Sequence, residues 1–340
     1  MKVVRAMADT SGPLNVVGVG ASAGGVEALK SFTAELPAGL PCAILVVLHM
    51  PAAAPSVLAR ILDRHGTVPA VTAATGMRLE HGSMYVAAPD HHLLADDGRI
   101  LLSEGPTENG HRPAINALFR SIALSHGPRA IGVLLSGVLD DGVAGLGAIR
   151  SRGGAAIVQS PGDALFPAMP QNAINAGVVD HQAPAAEIGR LLEKLTSREF
   201  KDTEMERDPR MELENRIAMA QRFSTDFDTE ELGPPSGYIC PDCNGALIAV
   251  GEGNYRCHVG HAWTADALLQ ARDDEVSNAL WIALRSLQEK AKLSRRLAGE
   301  VPPGIVRQRY EGLAREAEHA TSILGQRLAV ICDRQDEGPE

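Results

Sequence analysis

The stretch Gly18-Val19-Gly20-Ala21-Ser22-Ala23-Gly24-Gly25 limits what this chain can fold into more than any other. It follows a short apolar run, Leu14 to Val19, of strand length, and it precedes Val26, Leu29 and Phe32, whose spacing fits a helix. A strand, a tight glycine turn and a helix serve two chemistries. Gly18 to Ala23 satisfies the dinucleotide fingerprint G-x-G-x-x-G/A, and Gly20 to Gly24 satisfies the nucleophile elbow G-x-S-x-G. The fingerprint also demands an acid at the end of the next strand, to hold a ribose hydroxyl. That strand, Ala43 to Leu48, is a continuous apolar run that ends instead in His49-Met50-Pro51. A histidine at the carboxyl end of a parallel strand shares the sheet edge with the turn after strand one, which places a general base near Ser22.

Strand-like and helix-like segments alternate from Leu14 to about Leu195, which predicts an α/β fold with a doubly wound, mostly parallel sheet. Residues 130–135 and 155–159 read as further strands, and 55–65, 113–126, 143–150 and 185–195 as helices. Residues 85–87 and 100–103 flank an Asp97-Gly98 turn signal, predicting an antiparallel hairpin at the sheet edge, with His91 and His92 as solvated turn residues. A third strand end carries Asp140 and Asp141, either of which can also cap the helix that follows. Ser22, His49 and an aspartate thus sit at comparable strand ends as a nucleophile, its base, and the group that fixes the imidazole tautomer. The order Ser, His, Asp differs from the Ser, Asp, His order of α/β-hydrolases and implies a different fold.

Five ordered blocks carry a resemblance: Gly20-Ala21-Ser22-Ala23-Gly24-Gly25, Leu48-His49-Met50-Pro51, His111-Arg112-Pro113, Ser136-Gly137-Val138 through Asp141-Gly142, and Ala168-Met169-Pro170 through Ile174. Through them residues 14 to about 195 resemble the catalytic domain of the CheB chemotaxis methylesterases. The resemblance implies hydrolysis of γ-glutamyl methyl esters on chemoreceptors by a triad of Ser22, His49 and Asp141, with deamidation of receptor glutamines as a second activity it allows. It implies that the Val138 backbone amide helps form an oxyanion hole, that Ala23, His111 and Arg112 contribute backbone or contact positions toward the substrate, and that catalysis needs no cofactor. It also implies an edge hairpin that closes the sheet. The chain departs from the family at Ala23, where many members carry Thr, and at Leu139, where the usual residue is Gly. Many relatives carry a receiver domain ahead of the catalytic one, whereas residues 1–13 here have no room for an acceptor aspartate on a strand, so activity is expected to ignore small phosphodonors.

Beyond Thr196 the character changes. Arg198 to Arg216 is dense in charge and reads as a solvated linker or mobile helix, and Gly233-Pro234-Pro235-Ser236-Gly237 marks a boundary. Next come Cys240-Pro241-Asp242-Cys243 and Cys257-His258-Val259-Gly260-His261. Two such turns supply the four soft or borderline ligands that tetrahedral zinc requires, so Cys240, Cys243, Cys257 and His261 are expected to hold a structural zinc in a ribbon-like module. His258 competes with His261, but an adjacent Cys-His pair has difficulty converging on one ion. Residues 274–298 and 305–331 carry apolar stripes separated by Pro302-Pro303-Gly304, predicting an αα-hairpin that packs on itself, on the ribbon, or on another chain as a homodimer or partner helix. The expected organisation is a catalytic domain at 13–196, a charged linker at 197–235, the ribbon at 236–266 and the helical hairpin at 267–333. Lying beyond the linker, the ribbon is expected to lose its metal without disturbing the sheet.

A net charge of −10 argues against a nucleic-acid or anionic-membrane partner, both of which need a basic face. No apolar run approaches bilayer length and the opening residues hold no leader-like stretch, so no membrane insertion and a cytoplasmic location are expected. The reading is a protein-glutamate methylesterase acting on a methylated receptor or similar signalling protein. Two rivals remain at this point: a Rossmann-type nucleotide binder using the same glycine turn, and a non-catalytic signalling scaffold acting through its C-terminal module.

Overall fold

The computed structural model describes residues 14–53, 56–198, 207–220, 233–251 and 253–336. The expectations about the opening segment and most of the charged linker concern residues 1–13, 199–206 and 221–232, outside those described.

The chain opens with β1 (Asn15–Ala21), α1 (Gly25–Ala34) and β2 (Cys42–Leu48), both strands buried at every position. There follow α2 (Leu58–His65), β3 (Ala70–Thr72), β4 (Ser83–Val86), a hairpin of β5 (His92–Asp96) and β6 (Arg99–Ser103), and α3 (Ile115–His126). Then come β7 (Ala130–Leu134), α4 (Val143–Ser151), β8 (Ala155–Gln159), α5 (Ala168–Asn175), β9 (His181–Ala183) and α6 (Ile188–Thr196). Seven strands form one sheet in the order β3-β4-β2-β1-β7-β8-β9, with every neighbouring pair parallel. The strand alternation splits the core. Val17, Val19, Ile44 and Val46 pack with Leu29, Phe32, Leu62 and Leu192 on one face, while Val16, Leu45 and Val47 pack with Phe119, Ile122, Leu146 and Ile149 on the other. Each such side chain, taken fully out of water, contributes about 1.5–3 kcal/mol.

The glycines of the fingerprint do steric work on that second face. A Cβ on Gly20 would lie 2.3 Å from Ile115 Cγ2, and one on Gly18 would lie 2.8 Å from Ile122 Cδ1. The bare strand therefore lets α3 lie directly on β1, and the first turn of α3 reaches the site edge of the sheet.

The hairpin departs from its expected place. β5 and β6 form a two-stranded sheet of their own rather than an edge of the main sheet. The reason is packing on α3: Leu93, Leu94 and Ala95 are buried, and Ala95 N–H donates to Ser121 Oγ at 3.1 Å. His92 is likewise no solvated turn residue. It is fully buried, with Nε2 2.9 Å from Pro106 O and Nδ1 accepting from the N–H of Ala114.

Within the charged segment, α7 (Pro209–Met219) starts at an Asp208 cap that accepts from Met211 N–H and buries Met211, Ile217 and Ala218. Its end is tied to β6, where Ser103 Oγ donates to Ala218 O at 2.6 Å. A four-stranded antiparallel ribbon follows: β10 (Pro235–Ile239), β11 (Ala246–Gly251), β12 (Asn254–Cys257) and β13 (Ala262–Thr264). Its expected independence of the sheet is not what the contacts show, because it falls in one compact unit with everything before Leu268. Glu108 and Ala262 form a parallel bridge, the indole of Trp263 lies against Gly110, and buried Glu108 pairs with both Arg120 of α3 and Arg256 of β12. Burial alone pushes the Glu108 carboxyl up, but the two guanidiniums outweigh it and hold it below its usual range.

From Leu268 the chain forms a second unit. Its helices, α8 (Ala265–Glu300) and α9 (Ile305–Asp336), flank the Pro-Pro-Gly break as the stripes predicted, joined by the Arg295–Glu318 pair at 2.5 and 2.7 Å. Ala291 and Ala298 of α8 and Ala314, Ala317 and Leu328 of α9 are buried, whereas Val276 at the start of the predicted stripe is exposed. Among the described residues no helix is long and apolar enough to cross a membrane.

Candidate active site and metal cluster

Strand register brings three chain exits together. Ala21 pairs with Leu48 and Gly20 with Leu134, so β1, β2 and β7 release the chain side by side at one edge. The turns are stitched there, with His49 N–H on Ala21 O at 3.1 Å and Ser22 N–H on Ser136 O at 2.9 Å.

His49 stands between the other two candidates. Its Nδ1 is 3.1 Å from Ser22 Oγ, and its Nε2 is 2.7 Å from Asp141 Oδ2. A carboxylate can only accept, so it fixes the proton on Nε2 and leaves the Nδ1 lone pair facing the serine hydroxyl. Asp141, 2 % exposed, also accepts from the N–H groups of Ile115 and Asn116 at 2.7 and 3.1 Å. These are unpaired first-turn donors of α3, aimed at the carboxylate by the close approach that Gly20 permits. Burial alone would raise the Asp141 carboxyl. The His49 hydrogen bond and charge, with His111 and the Ile115 N–H, outweigh it and hold Asp141 below the usual range, so it stays ionised. Its neighbour Asp140 faces elsewhere, accepting from Thr264 Oγ1 at 2.9 Å, and burial pushes it up to about 6.

The remaining candidates divide. His111 lies in the site, its ring stacked on His49. Arg112 turns away, donating to Asp90 Oδ1 at 2.5 and 2.9 Å and to the carbonyls of Glu104 and Gly105. The backbone N–H groups of Ala23 and Val138 make no hydrogen bond among the described residues, and Gly137, next to Val138, lies so close to Ser22 that a Cβ on it would be 3.0 Å from Ser22 Cβ. Beyond Val138, Leu139 takes the left-handed conformation at φ 60°, which glycine adopts freely and a leucine only at a cost. Asn172 Nδ2 holds it there by donating to Leu139 O at 2.8 Å.

Two residues that matter here went unassigned in the sequence. Asn116 Oδ1 accepts from the N–H groups of Gly142 and Gly145, locking α4 to α3. Ser136, fully buried, donates from Oγ to Ala23 O at 2.8 Å and accepts from Phe166 N–H at 2.9 Å, fixing the far side of the Ser22 turn. Ser136 lies inside a recognised block, so only its role was hidden. Asn116 inside a helix gave no signal.

In the ribbon, the ligand atoms of Cys240, Cys243, Cys257 and His261 all lie within 4.8 Å of one another. The separations are 3.7 Å for Cys240–His261, 3.6 Å for Cys243–Cys257 and 3.5 Å for Cys257–His261. A tetrahedron with zinc–sulfur bonds near 2.3 Å and zinc–nitrogen bonds near 2.0 Å has edges of about 3.5–3.8 Å, which these three separations match, and the donor set of three thiols and an imidazole suits zinc. His258 is outside the group and packs at Gly245.

Residues 17–192 match the family model described as CheB methylesterase. The protein-glutamate methylesterase/protein-glutamine glutaminase 1 of Geobacter metallireducens is 39% identical over 181 residues, which are 52% of this chain and 50% of that protein. The corresponding protein 3 of Anaeromyxobacter dehalogenans is 41% identical over 167 residues, 48% of this chain and 49% of its own length. The chain thus spans about half the length of the curated relatives it matches. The crystal structure of the Thermotoga maritima CheB methylesterase catalytic domain aligns with a TM-score of 0.52 at 29% identity, covering 54% of this chain and 100% of that one.

Proposed function

Since this chain belongs to the CheB methylesterase family, we propose that it hydrolyses γ-glutamyl methyl esters on a methylated chemoreceptor or similar signalling protein, with Ser22, His49 and Asp141 as its triad. The observation that carries this reading is the His49 bridge between Ser22 Oγ and Asp141 Oδ2. The Ser22 hydroxyl gives its proton to Nδ1 as its oxygen adds to the ester carbonyl, and ionised Asp141 balances the imidazolium. The oxyanion is met by the Ala23 and Val138 N–H groups, which need no reorganisation. The tetrahedral species collapses as His49 returns the proton to the departing methoxy oxygen, releasing methanol and leaving an acyl group on Ser22. Water, deprotonated by His49, then frees the glutamate carboxylate. A glutamine side chain follows the same route with ammonia leaving, which gives the deamidase activity that the relatives' names carry.

We further propose that the ribbon holds one zinc ion on Cys240, Cys243, Cys257 and His261. Four protein ligands leave no open position, so a bound ion supplies folding energy and no chemistry to the ester.

A fluorophosphonate probe tests the triad. We expect a single phosphonyl adduct on the Ser22 peptide by mass spectrometry, and His49→Ala to slow labelling at least about a hundredfold. An adduct on another serine, or none, contradicts the reading.

A further inference from the structure

We propose that the ribbon is part of the esterase site, with Thr264 as a positioning residue that steadies the two segments presenting Asp141 and His111. Thr264 and its contacts do this from far away in the chain. Thr264 Oγ1 donates to Asp140 Oδ1 at 2.9 Å across 124 residues, and Thr264 N–H donates to Asn109 Oδ1 at 2.9 Å across 155 residues. Asn109 N–H in turn donates to Ala262 O at 2.7 Å, and Ala262 N–H to Thr107 O at 3.1 Å. Thr107 Oγ1 reaches Asp242 Oδ2, between the first two cysteines, at 2.6 Å. Strand β13 is therefore laid along residues 107–109, two positions before the His111 ring that covers His49.

The Asp140 bond falls at the other sensitive place. It lies in the loop from Val138 to Gly142, which holds the strained Leu139 backbone, the free Val138 N–H and Asp141 itself. That loop is anchored from one side by Asn172 on Leu139 O and from the other by Thr264 on Asp140. Without the Thr264 hydroxyl, a largely buried carboxylate next to Asp141 loses its donor, and the loop is free to relax away from the geometry in which His49 meets both partners. The placement of Thr264 depends on the ribbon's own turn, because β13 follows His261 directly and Cys257 N–H donates to His261 O at 3.0 Å. The inference takes its kinetic readout from the proposed esterase function, and it does not depend on which metal the ribbon binds.

Thr264 Oγ1 also accepts from Ala267 N–H at 3.2 Å, in the first turn of α8. Thr264→Val keeps the side-chain shape but removes both the donor to Asp140 and this cap, and Thr264→Ser restores both. In the full chain, Thr264→Val is expected to keep its metal and to stay folded, melting somewhat below the parent because the α8 cap is lost with the donor. Meanwhile kcat for ester hydrolysis and the rate of fluorophosphonate labelling at Ser22 should both fall about tenfold or more with KM little changed, because small misplacements of catalytic groups are costly. Thr264→Ser should recover most of both. Asp140→Ala removes the same bond from its other end, so the double variant should be no slower than the worse single one. A folded Thr264→Val chain that labels Ser22 at the parent rate overturns the proposal. Should Thr264→Val not fold, a folded Asp140→Ala chain labelling at the parent rate does so instead. A parent chain that labels no serine contradicts the esterase reading, and hydrogen exchange at 138–142 then decides the positioning: faster in Thr264→Val supports it, and unchanged refutes it.

Discussion

The imidazole of His111 lies flat on that of His49, with ring centroids 3.7 Å apart and 16° between the planes. Burial, and then the His49 charge, push His111 down to about 4, so at neutral pH it is an uncharged cover over the proposed base. His49 can take a proton from Ser22 without meeting a like charge. His111→Phe keeps a flat neutral face and is expected to hold kcat/KM within about threefold of the parent, whereas His111→Lys sets a cation there and should cost about tenfold or more. Equal kcat/KM for the two variants contradicts this role.

Three histidines set an acid limit on stability. Burial holds His92, His111 and His126 below their usual range, the last two at about 4. Their folded-state pKa values are depressed, so the unfolded chain takes up protons first. The stability they contribute is complete above their unfolded pKa of about 6.5 and is lost as pH falls from there toward 4. Asp140, raised to about 6, has the opposite sign and gains stability over the lower part of that window, which offsets one histidine. Urea midpoints should therefore fall between pH 7 and pH 4.5. A flat midpoint across that range contradicts the burial of these rings.

Leu139 offers a backbone test. Its left-handed φ costs roughly 1–2 kcal/mol in a leucine and nothing in glycine, while glycine loses more entropy on folding. Leu139→Gly should leave the melting temperature nearly unchanged and retain activity. Leu139→Val, with a β-branched side chain forced into the same conformation, should lower both. Equal tolerance of the two would mean that the loop does not hold that conformation in solution.

How much of this was legible follows from where each signal lies in the sequence. β1, β2, β7 and β8 announce themselves as apolar runs because strands buried on both faces are apolar at nearly every position, Asn15 and Gln159 at two strand ends being the exceptions, and the turns that leave β1, β2 and β7 carry Ser22, His49 and Asp141. β3 and β9, three residues each, are too short to show a period. His92 resembles a turn residue until α3 closes over it, and nothing local encodes that packing. The hairpin's pairing partner was similarly invisible, since its turn specifies two strands but not the sheet they join. Contacts between distant residues were beyond reach: Glu108 with Arg256, or Asp140 with Thr264, join segments that read as separate modules because a charged stretch lies between them. Of that stretch, Pro209 to Met219 is a packed helix whose three buried residues were masked by the surrounding charge.

The proposed metal site has its own optical reporter. Trp263 is 5 % exposed against Gly110, whereas the chain's other tryptophan, Trp281, is 51 % exposed. The purified protein is expected to carry one zinc per chain, to lose it in Cys257→Ser, and to show a red-shifted tryptophan emission when a chelator removes it, as Trp263 meets water. Emission that stays fixed after the metal has been stripped means the ribbon does not need the ion.

Methanol release from a methylated receptor fragment shows whether Ser22, His49 and Asp141 act as one unit on a methyl ester. The full chain should release methanol catalytically. Ser22→Ala and His49→Ala should each slow turnover by about a thousandfold or more, with the double variant little slower than either, because the members of such a triad lose their effect together. Asp141→Asn should slow release far more than Asp140→Asn, since only Asp141 meets His49. Multiplied effects in the double variant, or methanol release that persists in Ser22→Ala, would mean that the three residues are not a triad.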